Sequence, residues 1–125
     1  PYPEPQRIME AHREVLAFTA SVRTVLEEVD LLLTPAVPVP PPKIGAQGIV
    51  VNGEAHGDLA TIGRCMVPFN ASRLPALVQP CGFTPGRMPI ALQWAGKPFD
   101  EGTVLRAAAA YERATDWHRQ PSPIT

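Results

Sequence analysis

The side chains able to do chemistry are few and far apart. Nucleophilic catalysis by serine needs a hydroxyl exposed on a tight, glycine-rich turn with backbone donors beside it. None of the three serines, Ser21, Ser72 and Ser122, has such surroundings. The sequence contains no GxSxG elbow, no HExxH, no GxxxxGK[ST] loop and no GxGxxG after an apolar run. The three histidines, His12, His56 and His118, are scattered without metal-ligand spacing. His56 and Asp58 stand close together and could share acid–base work, although an ordinary polar loop carries the same pair. Cys65 and Cys81 are too few for a disulfide framework and lack CxxC spacing, so they read as small core residues. From residue type and spacing, then, the chain offers no catalytic set and no metal site.

Composition narrows the partners. The 125 residues hold 11 Lys+Arg against 12 Asp+Glu, a net charge of -1, with 45% hydrophobic and 18% charged residues. That suits one soluble domain or part of one. Without a basic block there is no electrostatic footprint for nucleic acid or an anionic membrane surface. No apolar run approaches the roughly 20 residues of a membrane span. The opening Pro1-Tyr2-Pro3-Glu4-Pro5 has neither an initiator methionine nor the character of a signal peptide. The expectations are therefore no nucleic acid, no membrane, a reducing and cytoplasmic setting, and further residues ahead of Pro1.

The 16 prolines divide the chain into elements. Apolar residues from Ile8 to Val29 fall at helical spacing, and Pro5 suits the first helical position, so a helix over about 6–29 is predicted. Asp30-Leu31-Leu32-Leu33-Thr34, closed by Pro35, reads as a short strand buried on both faces. Residues 35–42, with prolines at 35, 38, 40, 41 and 42, must be an extended connection; an SH3-type ligand is the other reading of such a segment. Asn52-Gly53 after an apolar run predicts a type I′ hairpin turn. Leu59 to Ser72 suits a short helix interrupted at Pro68. A hairpin over about 76–95 is predicted around Thr84-Pro85-Gly86-Arg87, where Pro then Gly suit a type II turn. Asp100 should cap a helix over about 101–117, and the prolines at 121 and 123 should end the fold in a loose tail. Helices alternating with strands make the fold class α/β.

An ordered series of blocks goes further. It runs Asp30-Leu31-Leu32-Leu33-Thr34-Pro35, Pro68-Phe69-Asn70, Leu74-Pro75-Ala76-Leu77, Pro80-Cys81-Gly82-Phe83 and Met88-Pro89-Ile90-Ala91-Leu92-Gln93. It continues through Gly96-Lys97-Pro98-Phe99-Asp100-Glu101, Tyr111-Glu112 and Thr115-Asp116-Trp117-His118. In order and spacing this resembles the C-terminal portion of an amidase-signature hydrolase, from Asp30 to His118. The resemblance implies part of one amidase domain, a fragment of that family's large mixed β-sheet flanked by helices. It also implies hydrolysis of a carboxylic amide to acid and ammonia or amine by a Ser-Ser-Lys triad, with no metal or other cofactor. That triad's Gly/Ser-rich signature is absent from this sequence, and neither Lys43 nor Lys97 stands at the catalytic lysine's position. Catalysis is thus not assigned to any residue of this chain. The segment matching the family's pocket region offers Arg64, Phe69 and Asn70 as substrate-pocket candidates, with helix packing or capping as the other reading of each. One departure stands out: family members usually carry glycine where this chain has Arg73, and since glycine permits φ > 0 or close backbone approach, the arginine calls the local turn into question.

The resemblance implies a small-molecule amide substrate for the full-length protein and no activity for these residues alone. Nitrile-pathway amides, aryl amides and amidated tRNA precursors are all open as substrates. The alternative is a non-catalytic interaction or oligomerisation module derived from an amidase. Uncovered sheet edges and apolar faces predict self-association on either view.

Overall fold

The computed structural model describes residues 3–46, 48–56 and 59–120, so Asp58, Ser122 and the proline tail lie outside the described residues. Pro5 opens helix α1, Pro5–Glu28, where its missing N–H is not needed. This 24-residue helix is about 36 Å long. It packs through Val22 and Leu26, while Ile8, Met9 and Leu16 nearer its start are exposed.

Strand β1, Leu31–Pro35, follows directly. The Pro-rich connection then leads to a small hairpin of β2, Ile49–Val51, and β3, Glu54–His56. Its turn has φ 51 at Asn52 and φ 85 at Gly53, the two positive values of the predicted type I′ geometry. Helices α2, Leu59–Gly63, and α3, Val67–Ser72, lead to the long strands β4, Ala76–Phe83, and β5, Pro89–Gly96. Helix α4, Glu101–Ala114, and a 3-10 turn, Trp117–Arg119, complete the described chain.

The main sheet is antiparallel with order β1-β5-β4. Directly opposed residues share a face. One face pairs Leu32 with Ala95 and Thr34 with Gln93, and it lies under α1 and α3. There Leu26, Phe69, Leu74 and Ala95 form the core, with Ala95 at 0% exposure. The other face carries Trp94, whose ring meets Tyr111 of α4 edge-on at 6.2 Å. Phe83 meets Trp117 in the same way at 6.3 Å. The result is a helix–sheet–helix sandwich, an α/β unit with antiparallel sheets.

Several sequence expectations are corrected. β1 is an edge strand rather than one buried on both faces: it has β5 as its sole neighbour among the described residues, and Leu33 is 58% exposed. The connection begins at Ala36, because Pro35 still belongs to β1. The break in 59–72 falls at residues 64–66, ahead of Pro68, which sits in the first turn of α3, where proline is tolerated. The turn after β4 is not type II. Arg87 N–H donates to Thr84 O at 2.8 Å, Thr84 N–H to Met88 O at 2.9 Å, and the positive φ, 63°, belongs to Arg87 rather than Gly86. That is a type I turn closed by a left-handed residue, which suits the right-handed twist of paired strands. α4 stops at Ala114, because Thr115 turns extended and its hydroxyl donates to Tyr111 O at 3.0 Å.

β4 runs through Pro80 by means of a bulge, with Pro80 opposite Ala91 and Gly82 opposite Ile90, leaving Cys81 unpaired. Ala36 N–H donates to Ala91 O at 2.9 Å, so the polar groups of Ala91 point toward β1. By antiparallel alternation those of Leu92 point toward β4. Pro80, opposite Ala91, and Pro35, opposite Leu92, therefore both turn their missing N–H to the outer edges of the sheet. Gly96 permits the close approach of α4: a Cβ there would stand 2.6 Å from Val104 Cγ2.

Candidate functional site

The segment from Arg64 to Leu74 carries all three pocket candidates, and its shape follows from local bonding. Met66 N–H donates to Gly63 O at 2.9 Å, closing the turn after α2. α3 then ends in a Schellman arrangement, with Leu74 N–H donating to Phe69 O at 3.2 Å and Arg73 N–H to Asn70 O at 3.3 Å. Arg73 takes the left-handed cap conformation, φ 55 and ψ 36, which glycine ordinarily supplies. The accompanying apolar contact is present, since Phe69 and Leu74 belong to one core cluster. The local turn that the missing family glycine called into question therefore forms, with the arginine in the left-handed conformation.

The three candidates part company in space. Phe69 is 7% exposed and faces Leu26, Leu74 and Ala95 in the core. Arg64, on the turn, and Asn70, on α3, are exposed. Beneath them lies a residue that sequence reasoning passed over. Gln93 of β5 is 3% exposed, and its Nε2 donates to Cys65 O at 2.9 Å and to Thr34 Oγ1 at 3.2 Å. A polar residue at a core-facing position of an otherwise apolar strand was the available signal.

The other chemistry-bearing residues do not converge. Ser21 Oγ donates to Ala17 O at 3.1 Å and Ser72 Oγ to Pro68 O at 2.8 Å, so both hydroxyls serve their own helices. His12 lies on α1, His56 on β3 opposite Ile49, and His118 in the 3-10 turn. Lys97 Nζ stands 3.7 Å from Asp30, an exposed pair of small energetic weight. Burial pushes the Cys81 thiol up, away from the nucleophilic thiolate. Among the described residues no three His, Cys, Asp or Glu side chains could hold a metal ion together. A groove of about 270 Å³ between β4 and α4 is mostly apolar, and at its rim Glu112 and His118 approach to 3.9 Å. No helix of the described residues is long and apolar enough to cross a membrane. What the described residues build is a sheet platform flanked by helices, without a nucleophile and base in contact.

Comparison with known proteins gives that platform a context. Residues 4–105 match the family model described as Amidase. A subunit of glutamyl-tRNA(Gln) amidotransferase from Chloroflexus aggregans is 46% identical over 98 residues, 78% of this chain and 19% of that protein. Among solved structures, an amidase superposes with a TM-score of 0.83 at 26% identity, covering 90% of this chain and 26% of its own. A 6-aminohexanoate cyclic dimer hydrolase does so with a TM-score of 0.73 at 30% identity, covering 89% and 25%. The chain thus spans about a fifth of the length of the curated relatives it matches. Its sequence blocks, its α/β sandwich and these matches agree, and the chain belongs to the amidase family, whose amidase-signature enzymes are its structural neighbours.

Proposed function

We propose that these residues are the C-terminal portion of an amidohydrolase that cleaves the C–N bond of a small-molecule carboxylic amide. Acid and ammonia or amine are the products, and the Ser-Ser-Lys triad lies upstream. The observation that carries this reading is the match over residues 4–105 combined with a described region whose serine hydroxyls are spent on helix carbonyls. In such an enzyme the hydroxyl would attack the amide carbonyl, the amine would depart with a proton, and water would release the acid. This segment contributes sheet, helices and part of the substrate wall, with Arg64 and Asn70 exposed and Phe69 anchoring α3 in the core. Relatives named for a tRNA amidotransferase and a cyclic dimer hydrolase support C–N chemistry as the common thread.

Ammonia release from simple carboxamides tests the reading. The 125-residue chain should release none, and a longer polypeptide carrying the upstream serine-rich region should release it at a measurable rate. Hydrolysis by the short chain, abolished by one of its own substitutions, would overturn the assignment.

A second reading, self-association, is favoured by a specific observation: Phe99 is 94% exposed, and Ile8, Met9 and Leu16 of α1 are exposed as well. Light scattering across a concentration series should show mass rising above 13.5 kDa. A constant monomer mass at high concentration would count against it.

A further inference from the structure

We propose that Gln93 is a positioning residue for the substrate wall, holding the 64–66 turn in register with the sheet so that Arg64 and Asn70 keep their places. This rests on the reading of those two residues as pocket-lining. Gln93 and Ser72 are the buried polar residues among those described, and Ser72 is satisfied within its own helix. Gln93 instead joins three separate elements. It stands on β5 directly opposite Thr34 of β1, gives one N–H to the Thr34 hydroxyl, and gives the other to the carbonyl of Cys65 between α2 and α3.

That carbonyl sits where helical bonding is interrupted, since α2 ends at Gly63 and α3 begins at Val67. Past α3 the chain is held to β5 by the Gly96 N–H donating to Pro75 O at 3.0 Å, and α3 itself packs through Phe69 in one apolar cluster with Leu74, Leu26 of α1 and Ala95 of β5. Apolar burial is non-directional and permits sliding and rolling. A buried hydrogen bond with a defined donor direction does not, and breaking it leaves a carbonyl without its partner. The Gln93 amide therefore fixes the rotation of the turn that carries Arg64 on one side and leads into Asn70 on the other.

The test uses Gln93→Met, which keeps the length of the side chain and removes both donors. In the 125-residue chain, hydrogen exchange of the backbone amides over residues 66–74 should quicken about tenfold, while amides of α4 stay as they were. Equal loosening of α4, or no change at 66–74, would overturn the proposal. Thr34→Val frees the same amide from its second partner and should raise exchange over the same residues by a smaller factor. It decides the matter if Gln93→Met does not fold.

In a longer amidase polypeptide carrying this segment, assayed with benzamide, Gln93→Met should raise KM about tenfold with kcat within about twofold. A merely structural defect would lower the active fraction and leave KM alone. The double variant Arg64→Ala, Asn70→Ala separates the two failures. If it raises KM and Gln93→Met does not, the positioning role alone falls; if it leaves KM unchanged, the pocket reading falls and takes this role with it.

Discussion

Arg73 closes α3 in a left-handed conformation that costs an L-residue with a Cβ about 1–2 kcal/mol and glycine little. Glycine also gives the unfolded chain more freedom, which offsets part of the gain. Arg73→Gly should therefore stabilise the fold by about 1 kcal/mol, read as a rise in the thermal midpoint. An unchanged or lower midpoint would mean that the arginine makes a compensating contact. Asp100 supports a prediction of another kind. The Thr103 side chain and backbone N–H hydrogen-bond to its carboxylate, with Arg106 and Lys97 adding attraction, and together they hold its pKa below the usual carboxylate value. Because the folded value is the lower one, the contribution is present above about pH 4, the unfolded value, and fades as pH falls through the folded value. Thermal melts of wild type and Asp100→Ala should thus converge on acidification and separate again near neutrality. Equal separation at every pH would remove the carboxylate from the explanation. Both residues were partly legible: Asp100 declared itself as a cap, and Arg73 as an occupant of a glycine position. Phe99 was not. Asp100 N–H donates to Lys97 O at 3.1 Å, with Pro98 second in the turn and Phe99 third at φ 61. The third position of such a turn ordinarily wants glycine, and an aromatic there gives no sequence signal of it.

Elements with strong periodic or turn chemistry were readable. α1, α4 and the Asn52-Gly53 hairpin fall within a few residues of expectation, since spacing, a cap and an obligatory pair of positive φ values each act locally. β1 was misjudged because three consecutive leucines do not reveal how many neighbours a strand has. The β4–β5 turn was misjudged because strand twist, not the Pro-Gly pair alone, chooses the turn type. Of the candidate site, Arg64 and Asn70 were named from resemblance, while Gln93 was missed because its hydrogen-bond partner is a carbonyl 28 positions away in the sequence. Close packing between β5 and α4 leads to a third prediction. Gly96→Ala places a methyl group against Val104 and toward Leu31, so it should destabilise the chain by about 1–3 kcal/mol. Coupling it with Val104→Ala should cost less than the sum of the two single changes in denaturant melts. Additive losses would show that α4 moves aside as a whole.

At the scale of the molecule, two layers of helix cover one three-stranded sheet incompletely. The cover is best where Leu26, Phe69 and Val104 meet β5 and poorest along the first turns of α1 and at Phe99. A chain that spans about a fifth of its curated relatives, with apolar groups such as Leu33 and Val78 open on its flanking strands, has surface suited to a neighbour. The kind of neighbour is constrained by Pro35 and Pro80. On each flank a proline turns a silent position outward, leaving Leu31 and Leu33 on one side, and Ala76 and Val78 on the other, as donors ahead of it. A strand from elsewhere can dock over that short stretch, but copy upon copy cannot be added with continuous bonding along the whole strand. The two prolines act as punctuation: each shortens the run of bonds that a docked strand can make at its edge of the sheet.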